Sequence, residues 1–295
     1  MIPSDRQPDT LSDVLPEALR EALFLASPLA VAYSGGLDSR FLAHAAANLE
    51  RVDFVLFHAT GPHLSPRESA AASAWAGERG FALGLAPVDP LVVPEVRANG
   101  RERCYFCKRA LFTALAGAAA GHPLLAGRRF TLCDGSNASD KDGYRPGLRA
   151  LGELGVFSPL AEAGLRKDDI RLLAARSGMD RPEQKARPCL LTRFAYDMAP
   201  DQTILAALAR AEDAVEDIMA GGFGPHVPDF RLRLTSLRPL PARSGPARYV
   251  CELHLERPVP AAMEAALAEA VAAAGFARPK LVSAGVISGY YDNSR

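Results

Sequence analysis

The chain has 295 residues, 48% of them hydrophobic and 23% charged, enough for a sizeable core and, at ordinary domain sizes, for two domains. Lys plus Arg equals Asp plus Glu at 34 each, so no global positive field gathers nucleic acid, although a local basic groove is compatible with that balance. No apolar run approaches the roughly 20 residues of a membrane span, and Met1 to Arg6 lacks the basic-then-apolar pattern of a secretion signal, so a cytoplasmic protein with no membrane partner is expected.

The pattern predicts an amphipathic helix over Thr10 to Ala26. Leu29-Ala30-Val31-Ala32-Tyr33 is an apolar run without polar alternation, as in a strand covered on both faces, and Ser34-Gly35-Gly36-Leu37-Asp38-Ser39 then feeds a helix from Arg40 to Asn48. A second strand, Val52 to Phe57, leads to Ser65-Pro66-Arg67-Glu68. That tetrapeptide joins a Ser N-cap, Pro at the first helical position and Glu at the third, and so opens a long Ala-rich helix to Arg79. Further strands are expected at Phe81 to Ala86, Arg129 to Cys133 and Gly155 to Phe157, with helices near Lys108 to Ala119 and Lys167 to Arg176. Strands alternating with helices imply an α/β fold with a doubly wound parallel sheet, assigned to residues 1–196. After the loop Gly178 to Pro188 the pattern changes to a helix (Ile204 to Met219), strands (Phe230 to Leu237 and Tyr249 to Leu255), a helix (Pro260 to Ala274) and a last strand (Leu281 to Ile287). This reads as a smaller α+β domain over 197–295, with the Pro- and Arg-rich stretch Leu237 to Arg248 as an exposed hairpin loop.

The segment Ser34 to Ser39 is the most informative. Two glycines let the backbone turn sharply against an anion, the hydroxyls of Ser34 and Ser39 add donors, and the following helix aims its N-terminal amides at the same point, which suits pyrophosphate. An acid in an anion site makes sense through a divalent cation, so Asp38 is assigned to Mg2+, directly or through water. There is no Gly-Lys-Ser/Thr of a Walker loop and no dinucleotide-type glycine triplet. The hexapeptide resembles the PP-loop of the adenine nucleotide alpha-hydrolase-like superfamily, whose members cleave ATP to AMP and pyrophosphate. Asp134-Gly135-Ser136-Asn137, at the end of a later strand, is similar to that superfamily's second site segment. Strand-end loops face one crevice in such sheets, which makes Asp134 and Asn137 nucleotide-binding candidates beside Ser34, Gly35, Gly36, Asp38 and Ser39.

Five cysteines in a reducing compartment do not suggest a disulfide framework. Cys133 closes the apolar stretch Phe130-Thr131-Leu132 and Cys251 shares a strand face with Tyr249, Leu253 and Leu255, so packing explains both. Cys104 and Cys107, in Arg103-Cys104-Tyr105-Phe106-Cys107-Lys108, have the spacing of a pair on one metal or cluster, and Cys189 follows far downstream. Three thiolates suit a 4Fe-4S cluster with one open iron better than a closed zinc site, and Arg103, Lys108, Arg187 and Arg193 would favour thiolates. On spacing alone, a zinc pair or a surface pair is an equal alternative.

Taken in order, Ser34 to Ser39, Ser65 to Glu68, Arg103 to Lys108, Asp134 to Asn137 with Tyr144-Arg145-Pro146-Gly147, Ser158-Pro159-Leu160, and Cys189 with Arg193 resemble the LarE family of ATP-dependent sulfur transferases of nickel-pincer nucleotide biosynthesis. The match runs over residues 10 to 235. It implies ATP, Mg2+ and a 4Fe-4S cluster on Cys104, Cys107 and Cys189 as cofactors, and a sulfur donor and a small nucleotide as partners. The implied reaction adenylates a carboxylate of pyridinium-3,5-biscarboxylic acid mononucleotide and replaces its oxygen with sulfur. Family members with one cysteine at the position of Cys189 surrender their own sulfur; those with three carry a cluster that delivers sulfide, the pattern seen here. Arg193 is then a phosphate- or carboxylate-binding residue, and Glu212, on the next helix, reads as part of a solvated face. The chain departs from the family beyond Arg231 and Arg233. The usual His is absent, Val282 stands where Asp is usual although Gly285 and Ser288-Gly289 can be matched, and Leu190-Leu191-Thr192 replaces small residues after Cys189. Rival readings are tRNA thiolation, which calls for a basic groove, and a non-catalytic nucleotide-binding cluster scaffold; a homo-oligomer is compatible with all three.

Overall fold

The computed structural model describes residues 14–142, 145–224, 227–238, 240–285, 287 and 290–293; Thr10 to Asp13 of the first predicted helix, Tyr144 and Ser288-Gly289 lie outside them. The chain forms two compact units: Met1–Thr60, Glu68–Val88 and Cys104–Arg187 make the first, and Gly61–Arg67, Asp89–Arg103 and Pro188–Arg295 the second.

In the first unit, helix α1 (Glu17–Ala26) buries Leu19 and Leu23, one turn apart, and precedes strand β1 (Leu29–Ala32). Then come α2 (Leu37–Ala47), β2 (Phe54–Thr60), α3 (Pro66–Glu78), β3 (Leu83–Pro87), α4 (Arg103–Ala120), β4 (Thr131–Cys133), α5 (Pro146–Glu153) and α6 (Lys167–Arg176). The four strands pair in parallel in the order β3-β2-β1-β4. Leu29 and Val31 of β1 join one core with Leu19, Phe41, Trp75 and Ile170. Ala30, between them in sequence, joins a second core with Phe57, Phe112 and Leu115. Alternate residues of one strand thus feed two apolar layers, which is why β1 carries no polar alternation. Helices on both faces of a parallel sheet make this the doubly wound α/β fold that the alternation predicts.

Among the bounds that differ from the sequence expectation, three bear on the site. Helix α2 begins at Leu37 because Gly36 is its N-cap, which puts Asp38 and Ser39 in its first turn. Helix α4 begins at Arg103 rather than Lys108, so Cys104 and Cys107 are helical; Arg103 N donates to Gly100 O in the turn that starts it. Residues 155–157 contribute one bridge, Phe157 with Cys133, rather than a strand.

In the second unit, α7 (Gln202–Phe223) is capped by Asp201, whose carboxylate accepts from Ile204 N at 2.9 Å. Strands β5 (Phe230–Leu237) and β6 (Tyr249–Leu255) pair antiparallel across the Pro- and Arg-rich connection. Helix α8 (Ala261–Ala273), packed on α7, then leads to β7 (Lys280–Ser283), which runs parallel to β6. The order β5-β6-β7 with two helices is a small α+β arrangement.

Candidate active site

Strand order places the site. The chain moves from β1 to β2 on one side and returns to β4 on the other, so the loops after β1 and β4 flank a topological switch point, where ligands of open α/β sheets collect. In the first loop Gly35 has φ +78°, and a Cβ there would stand 2.6 Å from Ala72 Cβ on α3. Only glycine fits, both for its dihedral and for its contact. In the second loop a Cβ on Gly135 would stand 2.9 Å from Ser39 N and 3.1 Å from Asp38 C. The two segments singled out in the sequence are therefore in van der Waals contact, backbone against backbone.

The serines of the first loop hold each other. Ser34 N donates to Ser39 Oγ at 3.3 Å, the two hydroxyls are 3.2 Å apart, Ser39 Oγ donates to Gly36 O at 3.1 Å, and Gly36 N points to Ser34 Oγ at 3.4 Å. This keeps the turn in shape at the N-terminus of an 11-residue helix, whose first amides have no intrahelical acceptor. A positive helix end behind a glycine turn is an anion cradle.

Asp38 meets a partner that the sequence did not reveal. Lys167 Nζ, from the first residue of α6, lies 2.7 and 2.8 Å from its two carboxylate oxygens, with both side chains about a quarter exposed. Burial raises the Asp38 carboxyl above its ordinary range even though Lys167 pulls it down. A cation at a helix N-terminus is opposed by the helix dipole, and that misfit was the available signal for Lys167. A Mg2+ ion on Asp38 would have to share the carboxylate with this ammonium or displace it.

Asp134 and Asn137 are buried and shape their own loop. Asp134 accepts from Ser136 Oγ and Ser158 Oγ, each at 2.6 Å. Asn137 Oδ1 accepts from Ser139 N at 2.9 Å, and its own N donates to Asp140 Oδ2 at 3.0 Å. Lys108 Nζ reaches to 3.8 Å from Asp134 Oδ2, and a Cβ on Gly147 would press on the Lys108 stem at 3.0 Å. Through Lys108 the first turns of α4 are tied to the second site loop. Cys104, half-buried, and Cys107, buried, stand three residues apart on that helix and so on one face.

Cys189 belongs to the second unit. It is half-buried and caps the short 3-10 turn Leu190–Arg193; its carbonyl accepts from Thr192 N at 3.0 Å and Thr192 Oγ1 at 2.8 Å. Arg193 is buried, and the carboxylate it binds is that of Glu212: Nε and Nη2 donate to its two oxygens at 2.7 and 2.8 Å. Its Nη1 donates to Pro188 O at 3.2 Å, bracing the residue before Cys189. Glu212 is therefore no solvated helix residue. It is buried, also accepts from Leu232 N at 2.9 Å, and, although burial opposes ionisation, the Arg193 charge holds its carboxyl below the ordinary range. Arg231 and Arg233, two residues apart on β5, are buried as well; burial pushes the Arg233 guanidinium down to about 10, and it lies over the Tyr290 ring at 4.5 Å.

The donor chemistry fits a cluster in part. Two thiols on one helix face suit two ligands, but among the described residues no three His, Cys, Asp or Glu side chains stand together as a metal site. Among them, too, no helix is long and apolar enough to cross a membrane. Cys133 and Cys251 are buried among apolar side chains, where burial pushes both thiols up, Cys251 to about 12.

Against known proteins, no family model matches the chain. It is 36% identical over 182 residues to an uncharacterized protein of Synechocystis sp., a match covering 62% of this chain and 66% of that one. It is 29% identical over 183 residues to the pyridinium-3,5-bisthiocarboxylic acid mononucleotide synthase of Lactiplantibacillus plantarum, covering 62% of this chain and 64% of the synthase. The chain is thus similar to a named synthase of the LarE family. An uncharacterized protein of Methanocaldococcus jannaschii is 28% identical over 191 residues, or 65% of this chain and 70% of that relative. The match to the first two relatives falls just short of two thirds of their length.

Proposed function

We propose that this chain is a LarE-family enzyme, an ATP-dependent sulfur transferase of nickel-pincer nucleotide biosynthesis acting on a carboxylate of pyridinium-3,5-biscarboxylic acid mononucleotide. The observation that supports the reading is the contact of Gly135 with Ser39 and Asp38, which brings both strand-end loops together, as one anion cradle would require. The likeness to a synthase named for a bisthiocarboxylic product supplies the substrate class.

In this reading ATP lies with its phosphates against the Ser34 to Ser39 turn. The substrate carboxylate oxygen attacks the α-phosphorus and pyrophosphate leaves, giving an acyl-adenylate. A sulfur nucleophile then attacks the acyl carbon, and AMP departs with the carboxylate oxygen. The backbone amides that open α2 stabilise the charge growing on pyrophosphate. Lys167 sits where the phosphates would arrive, already opposite an anion, and is the protein cation best placed to follow that charge. Asp38 is the carboxylate for Mg2+ once Lys167 is drawn to phosphate. Arg193 acts at one remove, holding the Cys189 turn through Pro188 O.

Cys104, Cys107 and Cys189 are the proposed ligands of a 4Fe-4S cluster, which would supply the attacking sulfide when bound. Anaerobic purification with iron and acid-labile sulfide analysis tests the ligand set, with Cys104→Ala as the control that should lose both. The reaction is tested by AMP and pyrophosphate formation with the biscarboxylic nucleotide. A protein that binds ATP yet forms no AMP with it would falsify the transferase reading and leave a nucleotide-binding scaffold.

A further inference from the structure

The chain between α6 and Cys189 is held against the first loop by a cluster that the chemistry above does not use. Trp75 Nε1 donates to Asp180 Oδ1 at 2.8 Å, Arg79 Nη2 donates to the same oxygen, and Arg40 Nη2 lies 3.1 Å from it. The Arg79 and Arg40 guanidiniums lie over the Trp75 ring at 4.1 and 5.1 Å. Arg40 is 1% exposed, a depth at which a guanidinium persists only with good partners. It spends Nη2 on the Asp180 carbonyl and Nη1 on Gln184 Oε1. With its oxygen occupied, the Gln184 amide must turn its NH2 the other way, and Nε2 donates to Gly35 O at 3.2 Å. Gly35 O belongs to the peptide whose N–H is that of Gly36, and a planar trans peptide points the two in opposite directions. Capping the carbonyl from one edge therefore turns the Gly36 N–H to the opposite edge, inside the turn, where Ser34 Oγ lies 3.4 Å away in a contact long enough for an incoming anion to replace.

We propose that Gln184 is a positioning residue, which locks the Gly35–Gly36 peptide in its anion-binding orientation and so couples the phosphate loop to the segment that runs on to Cys189. The coupling runs Arg40 to Gln184 to Gly35, with Asp180 as the anchor that keeps the segment in place. It rests on the reading above only in naming the anion as the phosphates of ATP. The phosphate loop is then ordered best when residues 180–187 are docked, and anion binding there in turn tightens that segment.

Two substitutions in the full-length chain separate this from general loosening. Gln184→Leu keeps the size and removes both hydrogen bonds. Gln184→Glu keeps an acceptor for Arg40 but has no N–H for Gly35 O. Amide hydrogen exchange on the ligand-free protein should show residues 33–38 and 180–188 both exchanging roughly fivefold or more faster in the Leu variant, with other regions unchanged. The Glu variant should loosen 33–38 alone. In both, the dissociation constants of ATP and of inorganic pyrophosphate should rise about tenfold, the loss of one hydrogen bond's free energy. Protection of 33–38 at the wild-type level in either variant overturns the proposal, as does anion affinity within twofold of wild type. Should the wild-type chain bind neither ATP nor pyrophosphate, the sulfur-transferase reading falls, while the exchange comparison still decides the role of Gln184.

Discussion

Two ion pairs of the same length divide the molecule. Lys167 grips Asp38 at 2.7 and 2.8 Å in the first unit, and Arg193 grips Glu212 at 2.7 and 2.8 Å in the second. Their side chains are 27% and 24% exposed in the first case, 2% and 7% in the second. Distance does not distinguish them; surroundings do. Water reaches the first pair, so either partner can exchange its contact for another at small cost. The second is sealed, and its guanidinium and carboxylate also hold Pro188 O and Leu232 N, so neither can leave without stranding a charge.

The largest effect should come from breaking the sealed pair. Glu212→Ala is expected to cost about 3–5 kcal/mol of unfolding free energy, since it leaves Arg193 buried without its counter-charge. Urea unfolding measures it, and a loss below about 1 kcal/mol would show that water reaches Arg193. Next come the glycines of the open site. Gly35→Ala has both a left-handed φ and a 2.6 Å clash, and Gly135→Ala meets backbone at 2.9 Å; each should cost about 1–3 kcal/mol and weaken ATP binding at least about tenfold. Gly135 is the sharper test, because backbone atoms of α2 cannot swing aside as a side chain can.

The open pair should behave in the opposite sense. Lys167→Met should change stability by less than about 1 kcal/mol while slowing AMP formation about a hundredfold, if this ammonium follows the phosphate charge. Its pH dependence carries a definite sign. Asp38 titrates above its unfolded value because burial outweighs Lys167. Its contribution to stability is therefore fully present below the unfolded pKa and lost as pH rises through the raised folded one. Removing Lys167 takes away the charge and hydrogen bond that lower this pKa, so the loss should extend to higher pH in the variant. An unfolding free energy with the same pH slope in both proteins between pH 4 and 7 would mean that Lys167 and Asp38 do not interact in solution.

How far the sequence carried depends on how local each signal is. The unit of β1, glycine turn and α2 was readable because an apolar run, two glycines and a helix are consecutive, and α6 begins at Lys167 as predicted. The start of α4 was not, since Arg103-Cys104-Tyr105 contains no capping residue and the helix grows out of a turn at Gly100. Glu212 was misread for a different reason. Its sequence neighbours look like a polar helix face, and its partners Arg193 and Leu232 are 19 and 20 residues away. Gln184 was invisible as a site residue and Lys167 showed only as a cation misplaced at a helix N-terminus, because their contacts with Gly35 and Asp38 span 149 and 129 residues. Motifs report what a short segment can do, whereas these contacts depend on which loops the sheet order brings together.

The smallest effect probes the anchor beside the open site. Trp75 is the single tryptophan of the chain, and its indole N–H donates to Asp180, so its fluorescence reports directly on that carboxylate. Burial alone would raise the Asp180 carboxyl, but the Trp75 and Arg181 hydrogen bonds and the Arg40 and Arg79 charges outweigh it and hold the group at about 2. A depressed carboxyl contributes stability above its unfolded pKa and loses it as pH falls through the folded one. The Trp75 emission should therefore stay constant from pH 7 down to pH 4 and shift only as pH falls toward 2, whereas in Asp180→Asn it should be altered at neutral pH and flat throughout. A wild-type transition centred near pH 4 would mean that the arginines are not closed around Asp180. The segment leading to Cys189 would then be as loosely held as the pair at Asp38.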